Sequence, residues 1–115
     1  MASTFKNAGM NVQFSDDSSA NLYTAAANEY AVVHALYISN KSTTATATVN
    51  IKVSTDGGST FYHIGKSLEV PPNNTLTLDK PLNLENNDIL RVIADPQPDS
   101  SSVDVEAYAS ILALT

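Results

Sequence analysis

The chain contains no cysteine and no tryptophan. Without cysteine, neither disulfide bonds nor thiolate metal sites can contribute to the fold. Positive charge is scarce as well, because six basic residues face twelve acidic ones and the formal net charge is −6. Nucleic-acid phosphates and anionic membranes are bound by clustered Lys and Arg, and here those residues are scattered singly. Neither nucleic acid nor a membrane is therefore expected as a partner.

Long apolar runs are also missing. No segment approaches the roughly 20 apolar residues of a membrane-spanning helix, and the opening MASTFKNAGM shows no signal-peptide pattern. We therefore expect a soluble protein without an export signal. At 115 residues there is room for one domain, and a chain of this size buries roughly two-thirds of the surface that it exposes when unfolded.

What the sequence does contain is a regular alternation of small polar and apolar residues, clearest in TATATVNIKV (44–53). Side chains two positions apart lie on the same face of a β-strand, so this stretch predicts a strand with one buried face and one face in water. The apolar face would carry Ala45, Ala47, Val49, Ile51 and Val53, and the polar face Thr46, Thr48, Asn50 and Lys52.

Further strands are predicted at intervals of about ten residues, separated by turns rich in Gly, Pro, Asn and Asp. The Asp-Gly-Gly at 56–58 predicts a tight hairpin, and Gly65 predicts a bulge in the strand that follows. Residues 80–88 are interpreted as a link and 95–102 as an exposed loop. The predicted strands cover 10–14, 21–25, 30–39, 46–53, 61–70, 75–79, 89–94 and 103–115.

The segment YAVVHALYIS (30–39) is largely apolar on both alternating faces, which predicts a central strand covered on each side. One of these faces would carry His34 together with Val32, Leu36 and Ile38. We therefore interpret His34 as a core or half-buried side chain bonded to backbone. His63, which follows the Asp-Gly-Gly turn, is expected on the surface.

These features predict an all-β protein, an antiparallel two-sheet β-sandwich of jelly-roll or immunoglobulin-like type. Residues 21–115 would form the β-sandwich domain. Residues 1–20 are weakly patterned and are interpreted as an extended N-terminal arm. Such an arm becomes ordered on its own domain or on a neighbouring subunit, and the sequence leaves both alternatives open.

The usual motifs of catalysis are not found in this sequence. The two histidines lack the paired spacing of a zinc site, and DGGS and ENND lack the regular spacing of a calcium loop. No Gly-rich phosphate loop and no G-x-S-x-G motif occurs. We therefore expect no enzyme, no cofactor and no metal, which leaves a binding or structural role.

Carbohydrate binding is the main alternative from a different class. β-Sandwich carbohydrate modules stack exposed aromatic rings on sugars, and Tyr37, Tyr62 and Tyr108 are the candidates here. The sequons at Asn40 (NKS) and Asn73 (NNT) match N-glycosylation sites. We interpret both sequons as turns.

Four segments carry a further pattern: LYTAAANEYAVVHALYISNKS (22–42), VNIKVSTDGG (49–58), GKSLEVPPNNTLTLDKPLNLENNDILRVIA (65–94) and VEAYASILALT (105–115). Together they resemble a family of small virion proteins from tailed bacteriophages. The resemblance covers roughly residues 22–114 and rests on turn prolines, strand alternation and the loop at 84–88. These features are structural, so the resemblance implies a β-sandwich in a virion.

The resemblance implies a virion structural protein, in the first place a capsid decoration (cement) protein that stabilises the major capsid shell. Its partners would be the major capsid protein or other virion proteins, and assembly would take place in the host cytoplasm. A homotrimer is expected by analogy with other decoration proteins. The alternatives are a neck, tail or fibre-base component, and a carbohydrate- or receptor-binding module displayed on the virion.

Candidate interface residues are chosen on geometry. Large rings in an otherwise polar arm must be buried somewhere, and loop tips are the accessible ends of a sandwich. The candidates are Thr4, Phe5, Lys6 and Phe14 in the arm, and Asp56, Gly57, Pro96 and Asp99 at the loop tips.

Overall fold

The computed structural model describes residues 2–94 and 105–115. None of the helical structure in this part of the chain is long and apolar enough to span a membrane. The elements are β1 (Ser3–Asn11), a 3₁₀ helix (Ser18–Ala20), β2 (Asn21–Thr24), β3 (Tyr30–Asn40), β4 (Ala47–Ser54), β5 (Phe61–Val70), β6 (Asn74–Leu78), β7 (Leu82–Leu84), β8 (Ile89–Ala94) and β9 (Val105–Leu114).

Two antiparallel sheets pack face to face, which confirms the predicted β-sandwich. Sheet A has the order β1-β9-β3-β6, with β7 also paired to β3, and sheet B has the order β2-β8-β4-β5. β1 pairs with β9, β2 with β8, β3 with both β6 and β7, and β4 with β5. The chain is thus one long hairpin rolled into two layers. This is the jelly roll, the first of the two predicted types.

The core lies between the sheets and is filled from alternate positions of each strand. On β9 every second residue from Val105 is buried, namely Val105, Ala107, Ala109, Ile111 and Ala113. On the predicted apolar face of 44–53, Ala47, Val49 and Ile51 are buried in β4, whereas Val53 and Ala45, which precedes β4, are only partly buried. Each fully buried valine, leucine or isoleucine side chain contributes roughly 1.5–3 kcal/mol, so this alternation supplies the main driving force for the fold.

A bulge in β3 changes the faces that simple alternation predicts. Val33 pairs with Ile111 and Ala35 pairs with Ser110, so His34 is an extra residue with no counterpart on β9. The inner face therefore changes from odd to even residues at this point. The prediction that His34 is in the core is wrong, because its side chain is exposed. The central position of β3 is confirmed, but its outer face is not covered within the described chain.

The β4–β5 hairpin forms where Asp-Gly-Gly predicted it. Gly57 and Gly58 have φ angles of 78° and 106°, which side-chain-bearing residues rarely adopt. The register of β5 then shifts twice opposite Ile51, which confirms the bulge predicted at Gly65. A Cβ atom on Gly65 would lie 2.6 Å from Leu68 Cδ1, so this glycine also makes room for its neighbour.

The N-terminal segment differs from the prediction in its local structure. The predicted strand at 10–14 is wrong, because β1 ends at Asn11 and the chain bends after residue 13. β1 pairs along its whole length with β9 of the same chain. Of the two alternatives for the arm, the isolated chain therefore shows ordering on its own domain, and the division at residue 20 stays a prediction. The link 80–88 contains the short strand β7, and the predicted loop 95–102 lies outside the described residues.

Candidate functional site

The N-terminal segment is fixed to the sandwich by a buried carboxylate. Glu29, between β2 and β3, is only 2% exposed, and its carboxylate accepts a hydrogen bond at 2.9 Å from the Lys6 ammonium of β1. The Tyr23 hydroxyl donates a second hydrogen bond to it. The Glu29 carbonyl in turn accepts a bond from the Asn86 side chain. No sequence pattern singles out Glu29, because its partners come from distant parts of the chain.

The contacts within this cluster determine the ionisation states of its three side chains. Burial alone raises the pKa of the Glu29 carboxyl, but hydrogen bonds from Tyr23 and Lys6 offset the burial, and the pKa lies below its ordinary value. The hydrogen bond to Glu29 raises the pKa of the Lys6 ammonium. Burial and the same carboxylate raise the pKa of the Tyr23 hydroxyl. At neutral pH the cluster is an ion pair with a neutral phenol, which is a structural clasp without a free base.

A second clasp joins the N-terminal segment to sheet B. Asp16 accepts hydrogen bonds from Arg91 Nη1 at 2.9 Å and from the Lys52 ammonium. These bonds, the one from Lys52 in first place, lower the pKa of the Asp16 carboxyl. Arg91 is buried on the outer side of β8, where it stacks 3.9 Å over the Phe61 ring and donates to Asn21. The single arginine of the chain therefore serves internal packing.

Two exposed tyrosines lie on the outer face of sheet A, which we call the tyrosine face. Tyr37 of β3 and Tyr108 of β9 are cross-strand neighbours with ring centroids 6.3 Å apart and ring planes at 46°. Both are about two-fifths exposed, at 40% and 44%. Beside them lies an open depression of about 410 Å³ whose lining includes Gly9 and Glu106. Exposed aromatic rings on a flat sheet are typical of a protein-binding surface.

The tip of the β4–β5 hairpin forms a second, polar surface. Asp56 accepts hydrogen bonds from the backbone N–H groups of Ser59 and Thr60 and from the Ser54 hydroxyl. These bonds, with that of Thr60 first, lower the pKa of the Asp56 carboxyl. The tip borders a shallow depression of about 450 Å³ together with Asn86 and the loop before β8. Its carboxylate is used to close the turn.

The predicted interface residues lie in several places rather than in one site. Phe5 is 83% exposed on β1, while Phe14 is 63% exposed after the chain has crossed to sheet B. Thr4 is exposed on β1 beside Lys6, which forms the clasp with Glu29. The loop-tip pair Asp56 and Gly57 is exposed as expected, and Pro96 and Asp99 lie outside the described residues.

The remaining candidates are accounted for by local structure. His63 is exposed, as predicted. Among residues 2–94 and 105–115, no group of three or more His, Asp or Glu side chains is placed to hold a metal ion. Asn40 is 2% exposed and bonds the carbonyls of Ala45 and Val70. Asn73 has a φ of 58° in the turn before β6, which confirms this sequon as a turn, whereas Asn40 is the last residue of β3.

Comparison with known proteins identifies the fold. No protein-family model matches this chain, and no curated protein matches it in sequence. Among solved structures, a chain from the acid-stable capsid of Helicobacter pylori bacteriophage KHP30 is similar with a TM-score of 0.53 and 16% identity, over 100% of this chain and 89% of that one. Two chains from infectious bursal disease virus, in the T13 particle and the Gx strain, give TM-scores of 0.51 and 0.50 at 9% and 10% identity. This chain spans 30% and 31% of their lengths. The fold is therefore similar to that of these chains from virus particles.

Proposed function

We propose that this chain is a bacteriophage capsid decoration (cement) protein that binds the major capsid shell and stabilises it without chemical catalysis. The observation that carries the proposal is the similarity to the phage KHP30 capsid chain, which extends over the whole of this chain and 89% of the other. The two matches to infectious bursal disease virus each cover about a third of a larger subunit.

The surface of the molecule fits an adhesive role. The tyrosine face offers aromatic area for burial against a partner, and aromatic residues are enriched in protein interfaces. Phe14 and the tip formed by Asp56 and Gly57 are further proposed contacts, since they project from the sandwich. The net charge of −6 would keep the protein away from packaged DNA.

The test uses virus particles assembled with the gene for this chain disrupted. Purified protein added to such particles should bind saturably, at a fixed ratio to the major capsid protein, and should raise the temperature at which the particles release DNA. A Tyr37→Ala, Tyr108→Ala double variant should bind at least tenfold more weakly. Tyr62→Ala is the control, because Tyr62 is even more exposed, at 61%, but lies on sheet B.

Two further binding experiments could overturn the proposal. Binding to purified tails and not to heads would assign the chain to the neck, tail or fibre base. Retention on a cell-wall polysaccharide column, lost in Tyr62→Ala or Tyr108→Ala, would assign it to carbohydrate binding. The 46° angle between the rings of Tyr37 and Tyr108 argues against that reading, because the two rings do not form one flat platform for a sugar.

A further inference from the structure

The open edge of β1 is longer or more regular than each of the other sheet edges in the described part of the chain. Exposed strand edges invite pairing with other chains unless they are short, bulged, charged or interrupted by proline. β2 has four residues, and β6 and β7 are short strands beside Pro71, Pro72 and Pro81. β5 is long, but its register shifts twice and it carries Lys66 and Glu69.

β1 itself is nine residues long, has no register shift and contains no proline. Its one charged side chain is Lys6, which is already paired with Glu29. In a chain with a net charge of −6, this strand carries no acidic residue. Two copies of β1 could therefore approach without strong repulsion.

The backbone N–H and C=O groups of β1 point alternately toward β9 and toward the open edge, and the latter are available for pairing with another strand. Ala2 and Thr115 exchange both backbone bonds, and the Val12 N–H bonds the Val105 carbonyl. Between these two points the register with β9 is continuous, so even-numbered residues point their N–H and C=O groups toward β9. The groups that point to the open edge belong to Ser3, Phe5, Asn7, Gly9 and Asn11. Within the described residues, no strand pairs with that edge.

We propose that β1 pairs antiparallel with β1 of a second copy of this chain, about a two-fold axis at Asn7, and so joins two copies of sheet A. This register uses all nine residues, with Asn7 opposite Asn7 of the second copy. A register shifted to a centre at residue 6 would place the two Lys6 ammonium groups directly opposite each other, which is destabilising. It would also leave one end of each strand unpaired.

The side chains on the outer face are self-complementary in this register. Phe5, which is 83% exposed, lies opposite Gly9 of the second copy, and the same contact is repeated across the axis. Gly9 has no side chain and borders the depression beside Tyr108 and Tyr37. Placing an aromatic ring over a cross-strand glycine is a known means of covering exposed backbone. The exposed Phe5 ring would therefore cover a position on the second copy that has no side chain.

The experiment uses purified full-length protein and does not depend on the proposed function. Wild-type protein should show a concentration-dependent mass of twice the chain mass in sedimentation velocity or light scattering. Asn7→Pro should be a folded monomer, because the lost N–H points away from β9 and proline is tolerated at such edge positions. Asn7→Ala keeps the N–H and should still dimerise.

Cysteine cross-linking tests the register separately and does not require the proline variant to fold. The chain has no native cysteine. Asn7→Cys should form a disulfide-linked dimer on oxidation, since Cα atoms in a hydrogen-bonded antiparallel pair are about 5.5 Å apart. Ser3→Cys should not, since the two Ser3 positions would be about 26 Å apart. A monomeric wild type at about 1 mM, a trimer that persists in Asn7→Pro, or equal linking by both cysteines would overturn the inference.

Discussion

The Lys6 ammonium lies 2.9 Å from the Glu29 carboxylate, across a separation of 23 positions in the chain. This contact fixes the first strand of sheet A to the loop that joins β2 and β3. The Lys6–Glu29 contact and the ion pairs of Asp16 with Arg91 and Lys52 together order the N-terminal segment on the isolated subunit. The segment is thus available as a rigid strand edge, so that pairing with another chain would not have to order it first.

The Lys6–Glu29 contact should contribute measurably to stability. In Lys6→Met the Glu29 carboxylate keeps its burial but loses its cationic donor, which should lower the free energy of unfolding. Lys66→Met is the matched control, because Lys66 is exposed on β5, and it should change stability by less than about 0.5 kcal/mol. Both variants should be made in the Asn7→Pro background, so that urea unfolding is measured on monomers. Equal effects of the two substitutions would contradict a stabilising role for the clasp.

Stability should decrease in acid. The pKa values of Glu29 and Asp16 lie below their ordinary values of 4.5 and 3.8, so the folded state binds these protons less tightly than the unfolded state. The stabilisation is therefore fully present above pH 5 and is lost as the pH falls through and below 4. Urea midpoints at pH 7, 5, 4 and 3 should show this decline.

A Glu29→Gln variant separates this effect from general acid denaturation. It should be less stable than wild type at pH 7, because a neutral amide replaces the ionised acceptor. The difference should narrow toward pH 3, where the wild-type carboxyl is protonated more fully. Parallel loss of stability in wild type and variant over this range would show that Glu29 does not contribute to the pH dependence.

The second clasp controls the segment between β1 and β2. In Asp16→Ala, the residues from 13 to 20 should exchange their amide hydrogens faster and become sensitive to proteases, while the sandwich stays folded. The loss of global stability should be small, about 1 kcal/mol, because the Asp16 side chain is half exposed. Asp17→Ala, next to it in the chain, should leave the Arg91 contact intact. Unchanged exchange in Asp16→Ala would contradict the clasp.

Asn40, the last residue of β3, should be sensitive to substitution. Its buried side chain donates to two carbonyls and accepts from the Ser42 N–H. Asn40→Ala leaves these groups without partners, so the free energy of unfolding should fall by about 2–3 kcal/mol. The comparison is Asn74→Ala, where an exposed side chain makes one bond to the Pro72 carbonyl. A loss below 1 kcal/mol at Asn40 would show that water replaces these bonds.

The sequence predicted the sandwich, the central position of β3 and the β4–β5 hairpin, because period-two alternation and turn glycines are local signals. It did not predict that His34 lies on the outer face of β3. The one-residue bulge at this position depends on pairing with β9 and has no signal in the local sequence. β1 was missed over most of its length because an edge strand with Lys6, Asn7 and Gly9 shows no apolar alternation. The choice between jelly roll and immunoglobulin-like order rests on pairings between distant strands.

The candidate surface was predicted in part. Phe5 and Phe14 were expected to be buried somewhere, but both are exposed on the isolated chain, so their burial against a partner stays a prediction. The pairing of Tyr37 with Tyr108 needed the β3–β9 register, which the sequence does not reveal. Glu29 was not foreseen, because its burial results from contacts with Tyr23 and Lys6.

The most direct test of the central claim, that this chain acts by binding the capsid shell, is cross-linking of intact particles with a lysine-reactive reagent followed by mass spectrometry. The chain offers five lysines as attachment points. The account predicts links from these lysines to the major capsid protein and a copy number in simple ratio to it. Links confined to tail or neck proteins, or purified particles without this chain, would contradict the account.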